Sequence, residues 1–305
     1  MPEQLAGAPV DANSTRSARP RPARRAAAWP ALALLLPGLL LFFLLFVLPQ
    51  AGLLGWSFQP AGAPGPSSPT LDNYARFLGD AHYLGILLQT LVMGIEVTLI
   101  TLVLGYPLAY WLARTSTRWK TLLLLMTVFP LLTSAVVRSF GWMVLLYRTG
   151  LVSNVLRATG ISRGPVELMY TQPGVVVAMA EVLLPFMVLT LFGVVQSIDR
   201  DLEHAAMNLG DGPAGAVLHI TLPLSTGGIL AGSLLVFSLA ISSFVTPSLV
   251  GGPRVQVMAT TIYDQTIALL NWQFASAVAA ILLVVVLGLA LSYSRALENT
   301  MRSSN

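Results

Sequence analysis

Six long apolar stretches dominate this chain and leave little choice of fold. They are Ala31–Leu48, Leu84–Leu112, Thr121–Tyr147, Gly174–Val195, Gly227–Leu249 and Phe274–Tyr293. A helix needs about 20 largely apolar residues to cross the hydrocarbon of a bilayer. Inside lipid every backbone N–H and C=O must find a partner within the protein, which restricts a spanning segment to a helix or a closed barrel. The runs are continuous rather than alternating, so helices are expected: an all-α membrane protein with about six transmembrane helices. Pro130, Pro185 and Pro247 fall inside these runs and are tolerated where neighbouring helices satisfy the freed carbonyls. Charged residues make up 10% of the chain, against about 25% in an ordinary soluble domain.

The basic residues give the orientation. Arg16, Arg19, Arg21, Arg24 and Arg25 precede the first apolar run. With that end inside the cell, they share the inner side with Arg114, Arg118, Lys120, Arg200, Arg295 and Arg302. The outer side then holds Arg76, Arg148, Arg157, Arg163 and Arg254. Eleven against five places both termini in the cytoplasm. Residues 1–28 are rich in Ala, Pro, Arg and Ser and read as a disordered cytoplasmic basic tail. Residues 29–295 form the transmembrane domain, with a core at 84–295, and 296–305 a second cytoplasmic tail. The run Ala31–Leu48 is too long for a signal peptide and no small-residue cleavage site follows Pro49, so an uncleaved first span is expected. No aromatic residues interleave with the arginines, so no nucleic-acid partner is expected. The chain has no cysteine, which excludes disulfides and thiolate metal sites.

The segment between the fourth and fifth runs, 196–224, is the most informative. It reads Asp-Arg-Asp-Leu-Glu-His-Ala-Ala-Met-Asn-Leu-Gly-Asp-Gly-Pro from Asp199, then Leu218-His219-Ile220-Thr221-Leu222-Pro223. A short helix is expected from Asp201 to Leu209, capped by Asp199 or Asp201. Gly210 accepts the left-handed conformation of a helix stop. Pro213 suits the first position of a second helix, which Pro223 should end. Two short helices in a bend make a knob, and the small residues Ala205, Ala206 and Gly210 let it fit closely into a partner's groove. An ordinary amphipathic interfacial loop is the plainer alternative.

The pattern His204-Ala205-Ala206-x-x-Leu209-Gly210, nine residues, then Ile220-x-Leu222-Pro223 resembles the "EAA" loop of binding-protein-dependent ABC importer permeases. Further likeness lies in Gly105-Tyr106-Pro107-Leu108-Ala109-Tyr110, which closes the second span, in Val137–Trp142, in Leu184–Met187 and in Ser243–Gly252. Together these look like the spermidine/putrescine-type branch. The resemblance implies a type I importer bundle in the cell's inner membrane. It implies a coupling loop (Glu203, His204, Ala205, Ala206, Leu209, Gly210, Asp211, Ile220, Leu222, Pro223) that docks into separate ATP-binding subunits. It also implies a second permease subunit, forming a heterodimer, and an extracytoplasmic solute-binding protein. The family carries Glu where this chain has His204, and commonly Ala where it has Asp211. Glu203 is adjacent, but on a helix it points about 100° away and does not replace that carboxylate. A phosphate-binding loop needs Gly-Lys-Ser/Thr. The one lysine, Lys120, follows Trp119, so no cofactor is expected on this chain and ATP belongs to a partner.

Glu96, Arg138 and Glu181 fall inside the apolar runs. A charge there is expensive and faces a cavity or a partner, so these three are candidates for the translocation path; a structural Glu–Arg pair between helices is the alternative. His82, His204 and His219 lie outside the runs and lack zinc-enzyme spacing, so no metal site is expected. Ser233 and Ser238 have no histidine at matching depth, which disfavours an intramembrane hydrolase. An ion-gradient-driven secondary transporter is the remaining alternative, and the two halves show no matching broken segments of the kind such transporters carry.

Overall fold

In the computed structural model, residues 28–61, 68–116, 118–160, 162 and 164–303 are described; the side chains of 28–33, 294 and 296–303 are not. The 1–28 basic tail, all but Ala28, and residues 62–67 lie outside them. Every regular element among the described residues is helical, with no strand. The chain divides into two units, Met1–Ala51 and Gly52–Asn305.

Helix α1 runs over 28–57, with one π-helical turn at Phe43–Val47. Its apolar side chains, Leu34, Leu45 and Phe46 among them, are exposed. That suits a helix whose solvent is lipid, where apolar groups have no reason to turn inward.

The second unit is built on three helices. After the short α2 (Asp72–Gly79), α3 runs unbroken over Ala81–Arg114. Asp80 caps it by accepting from the His82 N–H at 2.9 Å. The Gly105–Tyr110 stretch lies in the closing turns of this helix: Pro107 sits within it, and the helix continues to Arg114. Helix α7, Gln172–Ser197, starts with Thr171 as cap and Pro173 in its first turn, and it passes through Pro185. Helix α10 covers Thr226–Ile241. The three bury Met93, Val97 and Leu112 of α3 against Met179, Met187 and Leu191 of α7 and Val236 of α10. Small residues permit that approach: a Cβ at Gly228 would lie 2.8 Å from Val194, and one at Gly232 2.9 Å from the Met187 sulfur. The G-x-x-x-G pair of α10 is thus a packing surface.

Two expected spans are not single helices. The Thr121–Tyr147 run divides into α4 (Lys120–Leu132) and α5 (Ala135–Leu146), with a 94° bend between Lys120–Leu132 and the segment Ala135–Ala158. Pro130 removes the donor to the carbonyl four residues back, Thr133 and Ser134 turn extended, and the Pro130 carbonyl accepts from the Thr133 N–H at 3.3 Å, from Thr133 Oγ1 at 2.7 Å and from Arg138 Nη1. The fifth run ends at Ile241 rather than Leu249. Ser242 and Ser243 bond back onto the last turn, and the chain continues as a π turn at Pro247–Gly251. The first, second, fourth and sixth runs do form helices long and apolar enough to span, so among the described residues the count is four, or six if each bent pair is one span. After α6 (Leu151–Ala158), α7, the two loop helices α8 (Arg200–Asn208) and α9 (Pro213–Leu224), α10 and the short α11 (Met258–Tyr263), the chain ends in α12 (Trp272–Ser303). The backbone of α12 stays helical well beyond Tyr293. Helices α9 and α10 meet at Ser225 with a 67° bend.

Candidate functional site

Asp199 is the residue that caps α8, its carboxylate accepting from the Asp201 N–H at 3.0 Å. The helix ends where expected to within one residue. Gly210 takes φ +107°, its N–H bonds the Met207 carbonyl and the Asp211 N–H bonds the Ala206 carbonyl, each at 3.1 Å. That closing pattern needs a residue without a Cβ penalty. Pro213 opens α9. Pro223 does not stop it. A π turn at Val217–Thr221 precedes the proline, and its wider bonding loosens the helix where the ring would meet the carbonyl four residues back. The helix therefore runs on to Leu224.

One face of this knob is fastened to the body. Glu203, 8% exposed, accepts at Oε1 from Arg114 Nη2 at 2.6 Å, from Arg114 Nε at 3.0 Å and from the Thr221 hydroxyl. Its Oε2 accepts from the Tyr110 hydroxyl at 3.1 Å. Arg114 Nη1 reaches the Ile198 carbonyl at 2.9 Å, and Arg200 Nη2 the Ala113 carbonyl at 3.1 Å. Tyr106 and Ser225 share a hydroxyl–hydroxyl bond at 3.0 Å. Burial pushes the Glu203 carboxyl up, but the Thr221 hydroxyl, the Arg114 hydrogen bonds and charge and the Tyr110 hydroxyl outweigh it and hold the group below its ordinary 4.5.

The other face is open. Leu209 is 91% exposed, and Leu202, His204, Ala205, Met207 and Leu218 are also on the surface. Ala206 is a correction: it lies three residues from Glu203 on the same helical face and is buried with it, so of the small residues only Ala205 and Gly210 are presented outward. Asp211 and His219 pair across the bend at 3.1 Å. Ile220 and Leu222 are half-buried and Pro223 exposed. Arg114, Tyr110 and Thr221 were not legible as site residues; a lone arginine in the last turn of a long apolar helix is the one faint signal.

The intramembrane charges form two separate groups. Glu96 accepts from Gln172 Nε2 at 2.8 Å, in the first turn of α7. Glu181 accepts from Trp142 Nε1 at 3.3 Å and has Arg138 Nε 3.7 Å away. Among the described residues no hydrogen bond or ion pair joins Glu96 to the second group, and no cluster of three or more His, Asp or Glu side chains is placed to hold a metal.

A family model described as "Binding-protein-dependent transport system inner membrane component" matches residues 101–302. The chain belongs to this family. As a binding-protein-dependent transport component it is a multi-pass inner-membrane protein, and its relatives are transport permeases rather than enzymes. It is 36% identical to the spermidine/putrescine transport system permease protein PotB of Salmonella typhimurium (strain LT2) over 73% of this chain and 77% of that one. With PotB of Escherichia coli (strain K12) it shares 35% over 73% and 80%. With a probable molybdenum ABC transporter permease of Haloferax volcanii it shares 34% over 71% and 72%. Its fold is similar to a chain in the crystal structure of a bacterial ABC transporter that imports the acidic polysaccharide alginate (TM-score 0.71, 19% identity, 88% of this chain and 96% of that one). The same likeness holds for that transporter in complex with its alginate pentasaccharide-bound periplasmic protein (TM-score 0.72, 19% identity, 87% and 93%). The family assigns the bundle as an ABC importer permease.

Proposed function

We propose that this chain is the permease subunit of an importer for a polyamine-like cation, working with a second permease, separate ATP-binding subunits and an extracytoplasmic binding protein. Both termini and the 196–224 knob face the cytoplasm, a reading supported by the eleven-to-five distribution of basic residues. The observation that carries the proposal is the two-sided knob: one face tied through Glu203 to the end of α3, the other presenting Leu209 proud of the surface. An apolar side chain held that far into water on a rigid, glycine-stopped turn is a plug for a partner's groove. The similarity to PotB and the carboxylates Glu96 and Glu181 support a cationic cargo.

The chain has no cysteine, so Leu209→Cys supplies a single reactive site. In cells making the whole importer, a short reagent with a thiol-reactive group at one end and a photoactivated group at the other should join it to an ATP-binding subunit, and Leu71→Cys should not be joined. Transport without any such cross-link would rule the docking out. A second reading, an oxyanion cargo, is favoured by Arg138 and by the molybdenum-related relative. Parallel uptake of putrescine and molybdate separates the two.

A further inference from the structure

We propose that the cavity at Glu181 is a station for one ammonium group of the cargo, and that Arg138 is a tethered cation whose field offsets the carboxylate until the cargo's ammonium takes over that role. The inference rests on the reading of the chain as a permease for a polyamine-like cation.

The cavity holds about 310 Å³ and lies between α3, α4 and α7. Trp111, Met126, Pro130 and Leu184 wall it, and among the described residues that line it Glu181 carries the charge. The Glu181 side chain is one-third exposed. Its Oε2 takes one long hydrogen bond, from Trp142, and its Oε1 takes none from a described residue. A carboxylate in a span normally collects two or three short, charge-assisted bonds, because leaving it poorly solvated is expensive. Here the acceptor is held below its capacity, facing open space.

Arg138 shows the matching deficiency. Its Nε is buried without a hydrogen bond and stands 3.7 Å from Oε2, beyond bonding reach. Its Nη1 is held instead by the Pro130 carbonyl. That carbonyl sits at the break between α4 and α5, where the chain is extended at Thr133 and Ser134. The guanidinium is thus anchored on a neutral acceptor close enough to neutralise Glu181 by its field, but not bonded to it. An ammonium has three donors and no stem to anchor. It fits the free Oε1, and the Trp111 indole in the same wall offers a face that attracts cations. Arg138 then competes with the cargo, keeping the empty carboxylate from binding an arbitrary cation while leaving it available to one that brings its own hydrogen bonds.

The test is equilibrium dialysis of radiolabelled putrescine against the full chain in lipid nanodiscs, without the binding protein, which would bind the probe itself. Wild type should bind saturably. Glu181→Gln should weaken binding at least about tenfold, and Arg138→Gln should tighten it up to about fivefold, since a competing cation at a partly exposed carboxylate is worth roughly that factor. The opposite signs are the diagnostic, because a merely structural pair would weaken together. Should Glu181→Gln fail to insert, Arg138→Gln and Trp111→Leu, the latter expected to weaken binding, still decide. Absence of saturable binding, or weakening by Arg138→Gln, overturns the station. Uptake of putrescine and spermidine by cells carrying the whole importer is measured alongside. No uptake with nanodisc binding intact sinks the polyamine cargo and leaves the station; uptake without nanodisc binding sinks the station alone.

Discussion

Arg114 and Glu203, 89 positions apart, are joined by two hydrogen bonds from one guanidinium to one carboxylate oxygen, with Thr221 and Tyr110 completing the shell around the carboxylate. The bond ties the last turn of α3 to the first turn of α8. Both side chains are nearly buried, so the tie is made away from water. The knob is therefore an extension of α3 as much as of the loop that carries it.

Arg114→Ala should loosen the knob. It leaves a buried carboxylate without its cation, which costs on the order of 3–5 kcal/mol. Glu203→Gln keeps the shape and removes the charge, costing about 1.5–3 kcal/mol. Protease cleavage near Leu209 in nanodiscs should rise in the order wild type, Glu203→Gln, Arg114→Ala. Arg114→Lys should fall between wild type and the alanine variant, because an ammonium keeps the charge but cannot serve Glu203 and the Ile198 carbonyl in the same fork geometry. Protection equal to wild type in all three would show that the tie carries no weight.

The pH dependence follows from the sign of the shift. Glu203 is held below 4.5 in the folded protein. Its contribution to knob docking is therefore fully present above 4.5 and lost as pH falls through the lower, folded value. Cleavage near Leu209 should be flat from neutrality to about pH 5 and climb below 4.5. In Glu203→Gln that acid-induced rise should be absent or smaller.

Substitutions on the two faces of α8 should separate. Ala205 is exposed and Ala206 buried. Ala205→Arg should leave the permease folded and abolish uptake, by blocking the partner's groove. Ala206→Arg forces a long charged chain into the body and should lower thermal stability as well. Gly210→Pro should also abolish uptake, since φ near −65° is incompatible with the observed +107°. Normal uptake in both Ala205→Arg and Gly210→Pro would end the knob-in-groove account.

Orientation is tested by labelling. Leu71, just before α2, and His204, on the knob, are both exposed. A membrane-impermeant maleimide on intact cells should modify Leu71→Cys and spare His204→Cys until the cells are opened. Labelling of His204→Cys from outside reverses the topology.

Gly232→Leu should destabilise the bundle. Its side chain would run into the Met187 sulfur, and overpacking of this kind costs about 1–3 kcal/mol. Thermal unfolding of the full chain in nanodiscs measures it. A Gly227→Leu control, where a Cβ meets nothing within 4 Å, should leave stability near that of wild type.

Helices were legible in the sequence wherever length and apolarity alone decide them, as in Leu84–Leu112 and Gly174–Val195. Breaks were less so. A proline within a span kinks or stops it according to whether neighbours rescue the freed carbonyl, and nothing local distinguishes Pro107 and Pro185, which α3 and α7 absorb, from Pro130, where the chain turns. The loop was readable through Gly210 and Pro213 because caps are local chemistry. Glu203 was readable as part of the motif but not as its anchor. Its partners Arg114 and Tyr110 lie on another helix, and sequence separation of that order leaves no periodic trace. Arg138 and Glu181 were legible as an anomaly of charge in hydrocarbon. Their 3.7 Å separation, which decides how they relate, is a tertiary distance.

The 67° bend at Ser225 has a mechanical consequence. Helix α9 meets α10 nearer to a right angle than to a straight line. A thrust delivered along α9 therefore reaches α10 mainly crosswise, as a load at the end of a rod. A stiff rod pressed sideways at one end tilts about the point where it is packed, here the contact of Gly228 and Gly232 with α7 close to that end, instead of sliding along its axis. In that geometry the glycines are the fulcrum, and a small travel at Ser225 becomes a counter-swing at Ile241.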